Sequence, residues 1–303
     1  LGDFNIEHES TNQATFGNVK WPTAWHSHQG WDDNWQFYRE STGHNAYGGT
    51  FATVQPNVCD DTAPVPPSVA QATFPTDVAV EEMADGVYLI GGGPANSYMV
   101  EFDDFVAVFE APVDETRSLA VIEAVARLAP DKPIRWLISS HPHFDHIGGL
   151  RTYLHIGSTI VTHQQNLEFL NSDVLSYEPR TVKPDIVSKW PPTELAEGYN
   201  YEAIQENYVI ADDSRILRVY YVQPLQHVTG MLMAYLPAEG IVFQADLFDT
   251  HEPPRRAQLP AMRSLSNQVR RMNLEVETLA PVHGRPVPWS DFVAALNALS
   301  SAN

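Results

Sequence analysis

Ser140-His141-Pro142-His143-Phe144-Asp145-His146-Ile147-Gly148-Gly149 decides how this chain is read. Three imidazoles and one carboxylate fall within six residues, directly after the stretch 134–139, which reads as a buried strand. Imidazole nitrogen and carboxylate oxygen together suit zinc, iron and manganese. Residues just past a buried strand sit at its carboxyl end, where α/β sheets place their sites. Backbone alternation lets His141 and His143 point to one side. Asp145 and His146 then open a helix and turn toward an adjacent position, so the run can serve two metals side by side. Gly148 and Gly149 carry no side chain and let the backbone pack closely behind it.

Working outward, three more donors follow strand-like runs in order. His227 comes after the run at 216–222, Asp246 ends the run at 241–245, and His283 follows the run at 276–280. Further strands are expected at 87–90, 97–100, 105–109, 158–162 and 231–235. The pair 97–100 and 105–109 reads as a hairpin around Asp103-Asp104. Helices are expected at 116–128, 146–155, 164–174, 264–273 and 290–299. The order is strands, then βα units, then strands, then βα units: two similar halves.

The texture differs before residue 78. Four of the seven tryptophans, Trp21, Trp25, Trp31 and Trp35, lie in the first 55 residues, which read as short strands and turns. Residues 50–55 read as a strand. Prolines 56, 64, 66, 67 and 75 make 56–77 an extended linker. The chain therefore divides into an aromatic-rich extension and linker at 1–77 and a catalytic region at 78–303. The extension is expected to pack on that region and to provide an oligomer contact. The sequence starts at Leu1, which is read as a processed form of a longer precursor. The compartment stays open, with a lean toward periplasm or extracellular space.

Composition removes several classes. The 303 residues carry a formal net charge of −20, which opposes binding to a phosphate backbone, so no nucleic acid partner is expected. Cys59 is the single cysteine, which excludes an internal disulfide and a cysteine-built zinc site. No apolar run reaches the roughly 20 residues that cross a bilayer, and no membrane partner is expected.

On the 141–149 run and the ordered His227, Asp246 and His283, residues 78–303 resemble the metallo-β-lactamase superfamily. The resemblance implies an α/β fold, a four-layer αβ/βα sandwich with metals at the sheet edge. It implies two zinc ions per chain, with iron or manganese as alternatives. His141, His143 and His227 look like ligands of the first ion. Asp145, His146 and His283 look like ligands of the second, with Asp246 bridging both. It also implies a shared water activated as hydroxide, with Asp145 orienting it. Members with a bridging aspartate open thioesters, esters, lactones and phosphodiesters, whereas zinc β-lactamases usually carry Cys or Ser at the position of Asp246. The reading is therefore a hydrolase of a small-molecule ester, lactone or lactam. Weak or promiscuous β-lactamase action, a mono-iron sulfur dioxygenase and a non-catalytic binding member are the alternatives. Arg255, Arg256 and His251 are candidate substrate contacts. Asp249 is a candidate orienter of a ligand histidine, His163 a helix cap, and the glycines at 91–93 a flexible loop over the site. Tyr220, Tyr221 and Tyr235 are read as core or strand-face rings, and His26 and His28 as surface residues.

Overall fold

The computed structural model describes residues 76–174, 185–189, 200–223, 225, 227–251 and 253–301, together with the backbone of three strands nearer the start. Those three are β1 (Glu7–Phe16), β2 (Val19–His28) and β3 (Phe37–Glu40), an antiparallel sheet in that order. They contain Trp21 and Trp25, and β1 and β2 are long rather than the short strands expected. The expected strand at 50–55 and the linker up to residue 75 lie outside the described residues.

Seven strands form the first main sheet: β4 (Ala79–Ala84), β5 (Val87–Gly91), β6 (Ser97–Glu101), β7 (Val106–Phe109), β8 (Ile134–Ile138), β9 (Thr159–His163) and β10 (Tyr201–Ile204). They lie in sequence order; β4 to β7 pair antiparallel and β7 to β10 pair parallel. The second sheet holds β11 (Asn207–Ala211), β12 (Ile216–Tyr221), β13 (Leu232–Leu236), β14 (Ile241–Gln244), β15 (Thr278–Pro281) and β16 (Val287–Pro288), again in order.

Three apolar clusters fix the layers. One joins Leu89, Tyr98 and Ile138 of the first sheet to Val219, Leu232 and Phe243 of the second. Outside the first sheet, Val108 and Leu137 pack on Val121 of α1 (Glu115–Leu128) and on Leu150 and Tyr153 of α3 (Leu150–His155). Outside the second, Met233 and Val242 pack on Leu265 of α4 (Leu259–Arg271) and Phe292 of α5 (Trp289–Ser301). The result is helices, sheet, sheet, helices, the α/β sandwich expected.

Strands β7, β8 and β9 all end at one edge. In the second sheet β12, β14 and β15 run in one direction, because β12 and β14 flank antiparallel β13 and β14 pairs parallel with β15. Their carboxyl ends meet those of the first sheet. Two cross-sheet backbone bonds close the edge, Leu232 N–H to Ser140 O at 2.8 Å and Asn96 N–H to Val282 O at 2.8 Å. The Asn96 amide adds bonds to Pro281 O at 3.1 Å and Gly284 O at 2.7 Å.

Several expectations need correction. The helix expected at 146–155 is two: α2 (Phe144–Ile147) and α3, parted by Gly148 and Gly149. Residues 164–174 form short successive helical turns instead of one helix. Helix α4 begins five residues before the expected 264, with Pro260 in its first turn, where a missing N–H costs nothing. The glycine loop at 91–93 is anchored at its first residue. Arg117 of α1, fully buried, donates to Ile90 O at 3.2 Å, Gly91 O at 2.7 Å and Asp77 O at 3.1 Å.

Candidate metal centre

The short connection from β8 carries the chain in extended conformation to His143, which stands just before α2. His141, His143 and His146 are buried, while Asp145 keeps 37 % of its side chain exposed. The loops after β12, β14 and β15 bring His227, Asp246 and His283 to the same place. His141 Nε2 lies 2.9 Å from His143 Nδ1 and 3.4 Å from Asp246 Oδ2. His227 Nε2 is 3.0 Å from the same Asp246 oxygen. The other oxygen, Oδ1, lies 3.2 Å from His146 Nε2 and 3.3 Å from His283 Nε2. Those two nitrogens are 3.2 Å apart, and Asp145 Oδ2 is 3.6 Å from the first and 3.5 Å from the second. One carboxylate thus divides its oxygens between two donor groups, and all seven residues singled out in the sequence converge.

Strain and close packing hold this arrangement. Asp246 sits at φ +57° and Glu110 at φ +73°, a left-handed backbone uncommon for residues with a side chain and concentrated at functional sites. A Cβ on Gly148 would lie 2.1 Å from Val113 O, and one on Gly149 would lie 1.9 Å from Ser118 Oγ. Only glycines let α2 seat this deeply.

Glu110 is the residue that sequence reading missed. It follows β7 and is fully buried. Its carboxylate accepts from Ser140 N–H at 2.7 Å and Ser140 Oγ at 2.9 Å, and meets His146 Nδ1 at 2.5 Å. Ser140 Oγ in turn reaches His141 Nδ1 at 2.9 Å. Glu110 therefore orients both rings from behind and leaves each Nε2 facing the centre. Its signal in the sequence is an acidic residue directly after the apolar run Val106–Phe109. Asp249, the expected orienter, instead accepts from the backbone N–H of His251 at 2.7 Å.

The electrostatics are those of a cation site. Burial, reinforced by neighbouring His227, pushes His143 down to about 3. Burial also disfavours a charge on His283, but the carboxylates of Asp145 and Asp246 outweigh it and push this ring up to about 10. For Asp145, burial raises the carboxyl, yet the His283 hydrogen bond and the His146 charge bring it down to about 2. Carboxylates here stay ionised and draw positive charge inward.

The donor set fits divalent ions. His141, His143, His227 and Asp246 offer ligand atoms within 4.8 Å of one another, and so do Asp145, His146 and His283. Zinc–nitrogen bonds of about 2.0–2.1 Å in a tetrahedron imply ligand separations near 3.4 Å. The observed 2.9–3.6 Å brackets that value. Buried Asp246 Oδ1, which faces the second donor group, has no hydrogen-bond partner, and a metal–ligand bond would satisfy it.

Other candidates fall as follows. His251 flanks the centre, its ring 6.4 Å from that of His283. Arg255 and Arg256 are exposed at the turn leading into α4 and do not line the cavity beside the centre. His163 caps the turn after β9 by accepting from Gln165 N–H at 3.3 Å, and its ring stacks on Tyr221. Tyr220 and Tyr235 are core rings, as expected. His26 and His28 lie in β2, whose side chains are outside the described residues.

Comparison with known proteins completes the picture. Residues 90–283, more than half of the chain, match the family model described as the metallo-beta-lactamase superfamily. Sequence comparison with curated proteins finds no match. Among solved structures, a metallo-beta-lactamase from Pontibacter korlensis aligns with a TM-score of 0.55 and 14 % identity, over 74 % of this chain and all of that one. The FIM-1 metallo-beta-lactamase from Pseudomonas aeruginosa, in its mono-zinc form, aligns with a TM-score of 0.54 and 18 % identity, over 75 % of this chain and 98 % of that one. Sandwich layers, sheet-edge donors and family match agree: this chain belongs to the metallo-β-lactamase superfamily.

Proposed function

We propose that this chain is a dinuclear, zinc-dependent hydrolase that opens a small-molecule ester, lactone or lactam. The observation that carries the reading is Asp246, with Oδ2 facing His141 and His227 and Oδ1 facing His146 and His283. In this reading His141, His143 and His227 hold one ion, and Asp145, His146 and His283 hold the other. Bound there, divalent ions supply a water acidic enough to ionise near neutrality and a Lewis acid for the acceptor oxygen.

The chain's own residues do the rest. Asp145, the most open of the first-loop donors, orients the attacking water and takes its proton. Glu110 and Ser140 keep His141 and His146 in the tautomer that presents Nε2 to the centre. Asp246, locked at φ +57°, fixes the spacing between the two groups. No serine or cysteine nucleophile is required.

The test is metal-stripped protein reloaded with zinc, assayed on esters, lactones, thioesters, β-lactams and phosphodiesters. The expected result is about two zinc per chain and turnover of esters or lactones. Asp246→Ala should remove both activity and metal from a folded chain. One bound iron with sulfur-dependent oxygen uptake would refute the proposal, as would full turnover by metal-free Asp246→Ala.

A further inference from the structure

We propose that the cavity on the His283 side of the centre is a subsite for a neutral, largely apolar group of the substrate. Its volume is about 420 Å³, within the roughly 300–1,000 Å³ of small-molecule sites. The role in substrate binding rests on the hydrolase reading above; the ligand chemistry of the cavity rests on its walls alone.

The cavity opens where the two sheets part at the site edge. Its floor comes from the first sheet. Ala79 pairs with Gly91, and Glu81 pairs with Leu89, so all four share the face that Leu89 turns toward the inter-sheet core. Gly91 contributes backbone only, and a Cβ there would stand 3.1 Å from Asn96 Oδ1. The opposite wall is Gly284 and His251. Gly284 directly follows His283, whose Nδ1 lies 3.1 Å from Pro94 O at the end of the glycine loop. A substrate held at the centre thus has one end against this wall.

Charge decides the class. Arg285 and Glu81 meet across the mouth at 2.6 Å, with 75 % and 55 % of their side chains exposed. The Arg285 backbone is fixed by Thr250, whose Oγ accepts from its N–H at 2.7 Å and donates to its carbonyl at 2.9 Å. Within the lining, these two opposite charges offset each other. An anion that captured Arg285 would be left beside the Glu81 carboxylate. A cation that captured Glu81 would be left beside the guanidinium. The net charge of −20 adds a further penalty for anions. A neutral alkyl or aryl group incurs none of these costs and covers Ala79 and Leu89. The substrate class this favours is an uncharged ester or lactone, in preference to a carboxylate-bearing lactam.

The test is a binding titration on the zinc-loaded full chain with hexanamide, hexanoate and hexylammonium, followed by saturation-transfer NMR. Hexanamide should bind tightest, and its chain protons should give intermolecular NOEs to the Leu89 methyls. Ala79→Phe fills the floor and should weaken hexanamide about tenfold with the zinc count unchanged. Glu81→Gln frees Arg285 and should shift preference toward hexanoate by about fivefold. Tightest binding of hexanoate by the unaltered protein, with its chain protons giving NOEs to the Leu89 methyls, would overturn the proposal. So would absent NOEs to Leu89, or hexanamide binding indifferent to Ala79→Phe. These readouts need no turnover: absence of ester cleavage sinks the hydrolase reading and leaves them standing, whereas ester cleavage with no Leu89 contact sinks the subsite alone.

Discussion

Replacing Glu110 by glutamine isolates what the residue behind the histidines does. The amide keeps one oxygen for Ser140 N–H, which now donates to Oε1 at 2.7 Å. It puts an NH₂ where Oε2 serves Ser140 Oγ at 2.9 Å and His146 Nδ1 at 2.5 Å. That NH₂ donates to Nδ1 and drives the ring proton onto Nε2, the nitrogen facing Asp246 and His283. An ion can bind there only after that proton leaves. Loss of such an outer partner weakens metal binding about 10–100-fold. At 1.4 kcal/mol per tenfold this is about 1.4–2.8 kcal/mol. A hydrogen bond to a charged group, worth about 1.5–3 kcal/mol, gives the same range. The loss should fall first on the group built on His146, which meets the carboxylate directly, and reach His141 only through the Ser140 hydroxyl 2.9 Å from its Nδ1. Where zinc titration against a chromophoric chelator resolves two dissociation constants, one of them should shift by one to two decades. The thermal midpoint of the metal-free chain serves as control. Two unchanged constants in a folded variant would refute the reasoning, as would a loss confined to the His141 group.

Three further outcomes are expected. Gly148→Ala puts a Cβ 2.1 Å from Val113 O and should cost at least about 1–3 kcal/mol in urea unfolding, because Val113 already sits at φ +72°. Arg117→Met removes the only side chain that bonds the carbonyls of Asp77, Ile90 and Gly91 among the described residues; it should destabilise by about 1–3 kcal/mol and speed amide exchange in the glycine loop. Asp185 is raised by burial, but hydrogen bonds from Arg151 and Ser188 outweigh this and hold its carboxyl below the ordinary 3.8. A depressed carboxyl contributes stability above its unfolded value and loses it as the pH falls through the folded one. Asp185→Asn should therefore lower stability at neutral pH and flatten its fall in acid, read from denaturant midpoints across that range.

The sequence exposed those parts of the molecule where one physical demand dominates. Val106–Phe109 is buried throughout and reads as an unbroken apolar run, and Ile134–Ile138 does so apart from exposed Arg135. The donors were visible because ligand chemistry tolerates few residue types, and each donor stands just past such a run. What escaped notice takes its stability from distant partners. Strand β4, with Glu81 and Glu82 at its middle, shows no alternation and exists through its pairing with β5. Strands β10 and β11 are short edge strands carrying exposed Tyr201 and Val209. Glu110 looked like an ordinary acidic residue, since its partners lie 30 and 36 positions away. Arg285 was passed over in favour of Arg255 and Arg256, because only the fold brings it to Glu81, 204 residues earlier.

The provenance of the donors has a consequence for how the molecule holds together. His141 and His143 belong to the first sheet, and their partners His227 and Asp246 to the second. Asp145 and His146 likewise depend on His283. Neither group that meets at Asp246 is complete within one half of the chain. An ion at either position is a rivet between two slabs, and its binding free energy counts toward docking one on the other. Chelation should then loosen the seam before it melts either slab. The cross-sheet bonds of Asn96 and Leu232 would be the first backbone amides to open to solvent.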